Sequence, residues 1–182
     1  ILGRHLAKTG KETPFKGAVC MCPPIDLKAS SENIENKLWG VYSRALADYM
    51  KESWQLHKEK FLHFKLVHDI DMETILKKCK TLWDIDHHFT SKVHGFKDGH
   101  HYYQEAGSIN VLQNIKVPTL YMYSDDDEMI GFNGMPKKEV FEKHEYISLL
   151  QTGGGGHLAY IESSLSCGQW FTKPLIAYFD KL

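Results

Sequence analysis

Two places in the chain put proton-handling side chains on segments that could bring them together. Asp125-Asp126-Asp127 directly follow the run Thr119-Leu120-Tyr121-Met122-Tyr123-Ser124, and His157 follows Gly153-Gly154-Gly155-Gly156 after Tyr146-Ile147-Ser148-Leu149-Leu150. If both runs are strands of one parallel sheet, the acids and the histidine lie on loops just past the strands' carboxyl ends, where such sheets place their chemistry. A carboxylate there can accept from the Nδ1–H of the histidine. That fixes the tautomer and stabilises the imidazolium formed during proton transfer. The glycines permit a sharp turn at positive φ and keep side-chain bulk away from a substrate. The spacing alone is equally compatible with a flexible glycine turn and a solvated acidic turn.

Other reactive residue types form no comparable pattern. His87-His88, His94 and His100-His101 are rich in imidazole, but adjacent histidines diverge on a helix or a strand, and the spacings match no zinc pattern. No metal or cofactor is therefore expected. Cys20, Cys22, Cys79 and Cys167 fit neither a disulfide framework nor a C-x-x-C site. They read as free buried thiols, with Cys20 and Cys22 sharing one face of a strand, which favours a reducing compartment. A formal net charge of −1 without a Lys/Arg block argues against a nucleic-acid partner. No apolar run is long enough for a membrane span, and nothing at the start reads as a signal peptide. The opening at Ile1 rather than Met leads us to expect a fragment or processed product. Cytoplasmic or membrane-associated localisation is expected, any anchor lying outside these residues.

Residues 1–9 read as a helix stopped by Gly10, and the apolar run Gly17 to Cys22, ended by Pro23-Pro24, reads as a strand buried on both faces. Leu38, Val41, Tyr42, Ala45, Leu46 and Tyr49 recur at steps of three and four, which predicts an amphipathic helix. Another apolar and basic stretch covers residues 54–67, and a short helix over 72–80 has Asp69 or Asp71 as its N-cap. The whole of 29–89 reads as a helical insertion in one partial domain, 1–182. Strands follow at Thr119 to Ser124 and Tyr146 to Leu150, with a helical turn over 139–144 between them. The closing stretch from Cys167 is amphipathic, with Pro174 marking a kink or a late helix start.

The string Thr81-Leu82-Trp83-Asp84-Ile85-Asp86-His87-His88-Phe89-Thr90, with Gly95-Phe96, Tyr102-Tyr103 and Ile115-x-Val117-Pro118-Thr119-Leu120, resembles the ABHD1/2/3, YheT and EMB8-like α/β-hydrolases. Ala18-Val19-Cys20-Met21-Cys22-Pro23-Pro24-Ile25-Asp26-Leu27 and Gly155-Gly156-His157-Leu158-Ala159-Tyr160-Ile161-Glu162 are similar to two further motifs of that family, in the same order. The resemblance implies an α/β fold, specifically the C-terminal part of an α/β-hydrolase fold. That is a mostly parallel sheet with helices on both faces and a helical cap insertion. Acid then histidine toward the C-terminus is the order of that fold. It also implies His157 as the base and, through the family pattern G-x-x-D with Ser124 in the glycine's place, Asp127 as the acid, with Asp126 as second choice and Asp125 as a solvated extra charge.

The family's nucleophile elbow has no counterpart here. The sequence contains no G-x-S-x-G; Ser108 after Gly107 lies in the wrong context, and Ser148 is mid-strand. Two functions follow as expectations. One is the acid–base portion of a serine esterase or lipase acting on an acyl ester or lipid, a glycerolipid by the resemblance, with the insertion capping the site. The other is a non-catalytic, truncated hydrolase-fold subunit whose sheet is completed by another chain or by a missing N-terminal segment.

Overall fold

In the computed structural model of the chain, β-strands form at residues Ala18–Met21 (β1), Thr119–Ser124 (β2) and Ile147–Thr152 (β3). The structure describes residues 1–162 and 168–182, apart from the side chains of Phe132 and Asn133; Cys167 lies outside the described residues. Helices in chain order are α1 (Leu2–Thr9), α2 (Leu27–Asn36), α3 (Val41–Gln55), α4 (Phe61–His68), α5 (Met72–Lys78) and α6 (Leu82–Ile85). Then come α7 (Ser91–Val93), α8 (Gly99–Ala106), α9 (Gly131–Gly134), α10 (Lys138–Glu142) and α11 (Thr172–Phe179). Two units divide the chain: residues 1–30 with 107–182, and residues 31–106.

The first unit is α/β. Its sheet has three parallel strands in the order β1-β2-β3. All residues of β2 are buried, as a central strand rich in aromatic and β-branched side chains requires. Alternation along the strands sorts side chains to two cores. Cys20, Tyr121, Tyr123 and Ile147 pack with Leu6 and Ala7 of α1 and Phe141 of α10 on one face. Leu120, Met122, Val19, Met21 and Leu150 pack with Tyr160, Trp170 and the α11 residues Leu175 and Tyr178 on the other. Helices thus cover both faces of a parallel sheet. Pro174 sits in the first turn of α11, where its missing N–H costs no helical hydrogen bond.

Two expectations about β1 are corrected. Only its Ala18/Cys20 side is buried, in the core formed with α1, while Val19 and Met21 are half-buried against the core on the other face. Cys20 and Cys22 do not share a face. Cys22 lies one residue past the strand with φ 41°, and this left-handed turn rotates its thiol into the opposite core.

The second unit is helical, with a core of Ala47, Ile70, Met72, Ile75, Cys79 and Ile85 lined by Trp54, Phe64 and Phe89. The Asp71 side chain caps α5 by accepting from the Glu73 amide, and Asp69 instead closes α4 in a left-handed conformation. Thr81 and Asp84 form a reciprocal capping box at α6. A wide turn of π type, Asp86–Thr90, joins α6 to α7, and His87 and His100 lie against the Trp83 ring.

The expected helix starting near Leu38 is corrected as well. Leu38 and Trp39 both have positive φ, so α3 begins only at Val41. Its buried positions are Ser43 and Ala47, and Val41 and Tyr49 are exposed. The reason is polar: the Ser43 hydroxyl donates to Glu35 and accepts from the Leu82 amide, while the Glu35 carboxylate accepts from the Trp83 amide. No helix among the described residues is long and apolar enough to cross a membrane.

Leu6 has no exposed surface and anchors α1 to the sheet. Leu6→Ala should cost about 2–5 kcal/mol in chemical denaturation; a loss below about 1 kcal/mol would show that this contact does not hold α1 in place.

Candidate functional site

The parallel register pairs Tyr123 with Gln151 and Ser124 with Thr152, so β2 and β3 end side by side. The Asp125 amide continues the ladder by donating to the Thr152 carbonyl at 2.9 Å. From there the chain turns, and Asp127 Oδ1 accepts from the Met129 and Ile130 amides at 2.9 and 3.0 Å. Its other oxygen, Oδ2, lies 2.9 Å from His157 Nδ1. The Asp127 side chain is fully buried, whereas that of His157 is 34% exposed. Burial raises the Asp127 pKa, but the hydrogen bonds from His157, Ile130 and Met129 outweigh it and hold the carboxyl below its ordinary value.

The loop carrying His157 is tied down through its backbone. The Gly156 amide donates to Asp126 Oδ1 at 2.8 Å, and the Gly156 carbonyl accepts from Ser124 Oγ at 2.5 Å. The Gly155 carbonyl accepts from the Tyr160 amide at 2.8 Å. Gly155 also rests on the Tyr160 ring, where a Cβ would come within 2.6 Å of the ring carbons, and Gly156 has φ +58°. Glycine is required at 155 by the close approach and favoured at 156 by the backbone angle.

The three acids after β2 therefore do different things. Asp127 is the one brought to His157. Asp126, the second choice for the acid, holds the histidine loop instead; the Gly156 amide, chiefly, lowers its pKa. Asp125 is exposed and accepts from Gln151 Nε2 at 2.5 Å.

Sequence reasoning missed Cys22, Ser124 and Tyr160 as parts of this site. Cys22 Sγ lies 3.4 Å from the Tyr160 hydroxyl and 4.0 Å from the Gly156 carbonyl oxygen. Burial pushes the thiol up to about 11, against the opposing hydrogen bond from Tyr160. One signal was present. Cys22 directly precedes Pro23-Pro24 and so stands at the carboxyl end of its strand, as the acids and the glycine loop do at theirs. The arrangement can accept a proton at His157, hold the resulting imidazolium against a buried carboxylate, and return the proton.

Two predictions follow from this geometry. Gly155→Ala should destabilise the chain by about 1–3 kcal/mol through backbone strain and the clash with Tyr160; an unchanged denaturation midpoint would refute the close approach. Because the folded pKa of Asp127 is depressed, its stabilising contribution is complete above the unfolded carboxylate value of about 3.9 and is lost as pH falls through its lower folded value. Asp127→Asn should flatten that acid limb in stability measured between about pH 2 and 7, and a limb identical to wild type would contradict the assignment.

No family model matches the chain. It is 26% identical to the medium-chain fatty acid ethyl ester synthase/esterase 2 of Saccharomyces cerevisiae, over 100% of the chain and 43% of that protein. It is 28% identical to the phospholipase ABHD3 of Bos taurus, over 89% of the chain and 38% of that protein. With the monoacylglycerol lipase of Saccharomyces cerevisiae the identity is 26%, over 98% of the chain and 39% of the lipase. The chain spans less than half the length of these curated relatives. This likeness along nearly all of its residues, together with its parallel α/β sheet, supports an ABHD-like α/β-hydrolase fold for the chain.

Proposed function

We propose that this chain carries the acid and base of a serine hydrolase that cleaves carboxylic esters of lipid type, a glycerolipid ester being the favoured substrate. The observation that carries the reading is the 2.9 Å contact between His157 Nδ1 and the buried Asp127 carboxylate. With Nδ1 so engaged, Nε2 is the nitrogen left to take a proton from a nucleophile. The relatives are named as an esterase, a phospholipase and a monoacylglycerol lipase, which supports an acyl ester as the substrate class.

In this reading His157 Nε2 takes the serine hydroxyl proton as the oxygen attacks the acyl carbonyl. The ester C–O bond breaks, His157 returns the proton to the leaving alkoxide, and an acyl-enzyme remains. Water then attacks with His157 again as base, and its proton restores the serine. Asp127 keeps Nδ1 protonated and stabilises the imidazolium at both steps. The serine would come from residues outside these 182, in a G-x-S-x-G turn that also supplies oxyanion donors. Strands contributed from outside would pair on the edge of β1 that β2 leaves free.

The test is to extend the protein upstream and label it with a fluorophosphonate. Labelling at a serine in G-x-S-x-G, lost in His157→Ala, is the expected result. Asp127→Asn should lower kcat by about 10⁴-fold, and Asp126→Asn far less. A protein that has no such serine, or labelling that His157→Ala leaves at the wild-type rate, would overturn the proposal and leave a non-catalytic subunit as the reading.

A further inference from the structure

The described residues hold one group of potential metal donors, and it overlaps the acid–base pair without being confined to it. Cys22 Sγ, a carboxylate oxygen of Asp127 and a ring nitrogen of His157 all lie within 4.8 Å of one another. We propose that Cys22, Asp127 and His157 form a binding site for a zinc-like divalent ion, and that occupation of this site withdraws His157 from proton transfer. The binding half stands on the donor geometry alone; the inhibitory half rests on the function proposed above.

Thiolate sulfur, imidazole nitrogen and carboxylate oxygen are zinc's three protein ligand types, at about 2.3, 2.0 and 2.1 Å respectively. Tetrahedral ligands at those lengths stand about 3.3–3.6 Å from one another. Donor atoms within 4.8 Å therefore need only side-chain adjustment to close on an ion. Three protein ligands leave the fourth position for water, the arrangement of an open zinc site.

The residues come from the ends of three neighbouring strands, so the backbone holds them in place. Supporting contacts are already made. The Met129 and Ile130 amides fix the Asp127 oxygen that faces away from His157, and the Tyr160 hydroxyl sits against Cys22 Sγ. Such outer contacts orient ligands and are part of what makes a metal site. Cys22 and Asp127 are buried, whereas the partly exposed His157 gives an ion its way in.

Protons balance simply. Coordination removes the Cys22 thiol proton to solvent, as a metal does even for a thiol of high pKa. The imidazole stays neutral, with its one proton on the nitrogen that does not bind. If Nδ1 binds, Nε2 carries that proton and cannot accept another; if Nε2 binds, its lone pair is taken. Either way His157 ceases to be a base.

Cobalt chloride titrated into the intact chain, followed by zinc chloride, tests the site directly. One equivalent of cobalt should give a sulfur-to-cobalt charge-transfer band in the near ultraviolet, and zinc should abolish it. Cys22→Ser should lose the band and weaken zinc binding by at least about tenfold, and His157→Gln, on a partly exposed side chain, should weaken it comparably. Cys20→Ser, whose thiol faces the opposite core, should leave both unchanged. A missing band in the wild type, a band retained in Cys22→Ser, or unchanged zinc affinity in both site variants overturns the proposal. In an upstream-extended form that labels with fluorophosphonate, zinc should block labelling of the wild type and of Cys20→Ser alike, and labelling that zinc leaves unchanged overturns the inhibitory half. If cobalt binds as described and the extended form never labels, the hydrolase reading fails while the metal site stands.

Discussion

A carboxylate with no exposed side-chain surface sits at the end of the central strand. Taking an ion from water into a protein interior costs several kcal/mol unless its lone pairs are met. Asp127 meets that demand with two amides from the turn that follows it and one imidazole from the next strand's loop. The amide pair can form only if the chain turns back immediately after Asp127. The imidazole can arrive only if β3 lies beside β2 and ends at the same level. Satisfying this one charge thus fixes the turn, the strand pairing and the position of His157 together.

The loop that delivers the histidine solves a second problem. A run of glycines has high entropy in the unfolded chain and would leave an imidazole poorly aimed unless its backbone were bound. Here the amide and carbonyl of Gly156 and the carbonyl of Gly155 all have partners, supplied by Asp126, Ser124 and Tyr160. One of these partners, Ser124, ends β2, and another, Asp126, lies in the turn directly after it. The segment that carries Asp127 therefore also holds the loop of His157, which is a direct way to pre-organise two groups for the proton transfer proposed above.

Much of this was legible where the controlling chemistry is local. Gly10 stops α1 and Asp71 caps α5, because stop and cap signals act over one turn. β2 and β3 could be read from runs of residues suited to a buried pleated surface, although β3 continues two residues beyond Leu150. The choice of Asp127 over Asp126 was different. Adjacent acids look alike in sequence, and only the spacing of a family motif separated them. What could not be read depends on distant partners or on single dihedral angles. Ser43 is buried on α3 because Glu35 and the Leu82 amide meet its hydroxyl, which no periodicity of apolar residues reveals. Cys22 enters the site because one positive φ reverses its side after the strand.

The partners of Asp127 and of the histidine loop all lie within the α/β unit, residues 1–30 and 107–182. No hydrogen bond from a nucleophile is needed to hold His157 in place. That separates two requirements that catalytic triads combine: the orientation of the base, and the presence of something for it to deprotonate. The first is met by strand ends and backbone amides within this chain, so under the proposed function a serine brought to Nε2 would find its base already aligned. The same pre-alignment explains why a thiol at the third strand end matters. Donors held rigidly for one task are also held for a metal, and Cys22 adds the sulfur that turns a proton-transfer pair into a set of zinc ligands.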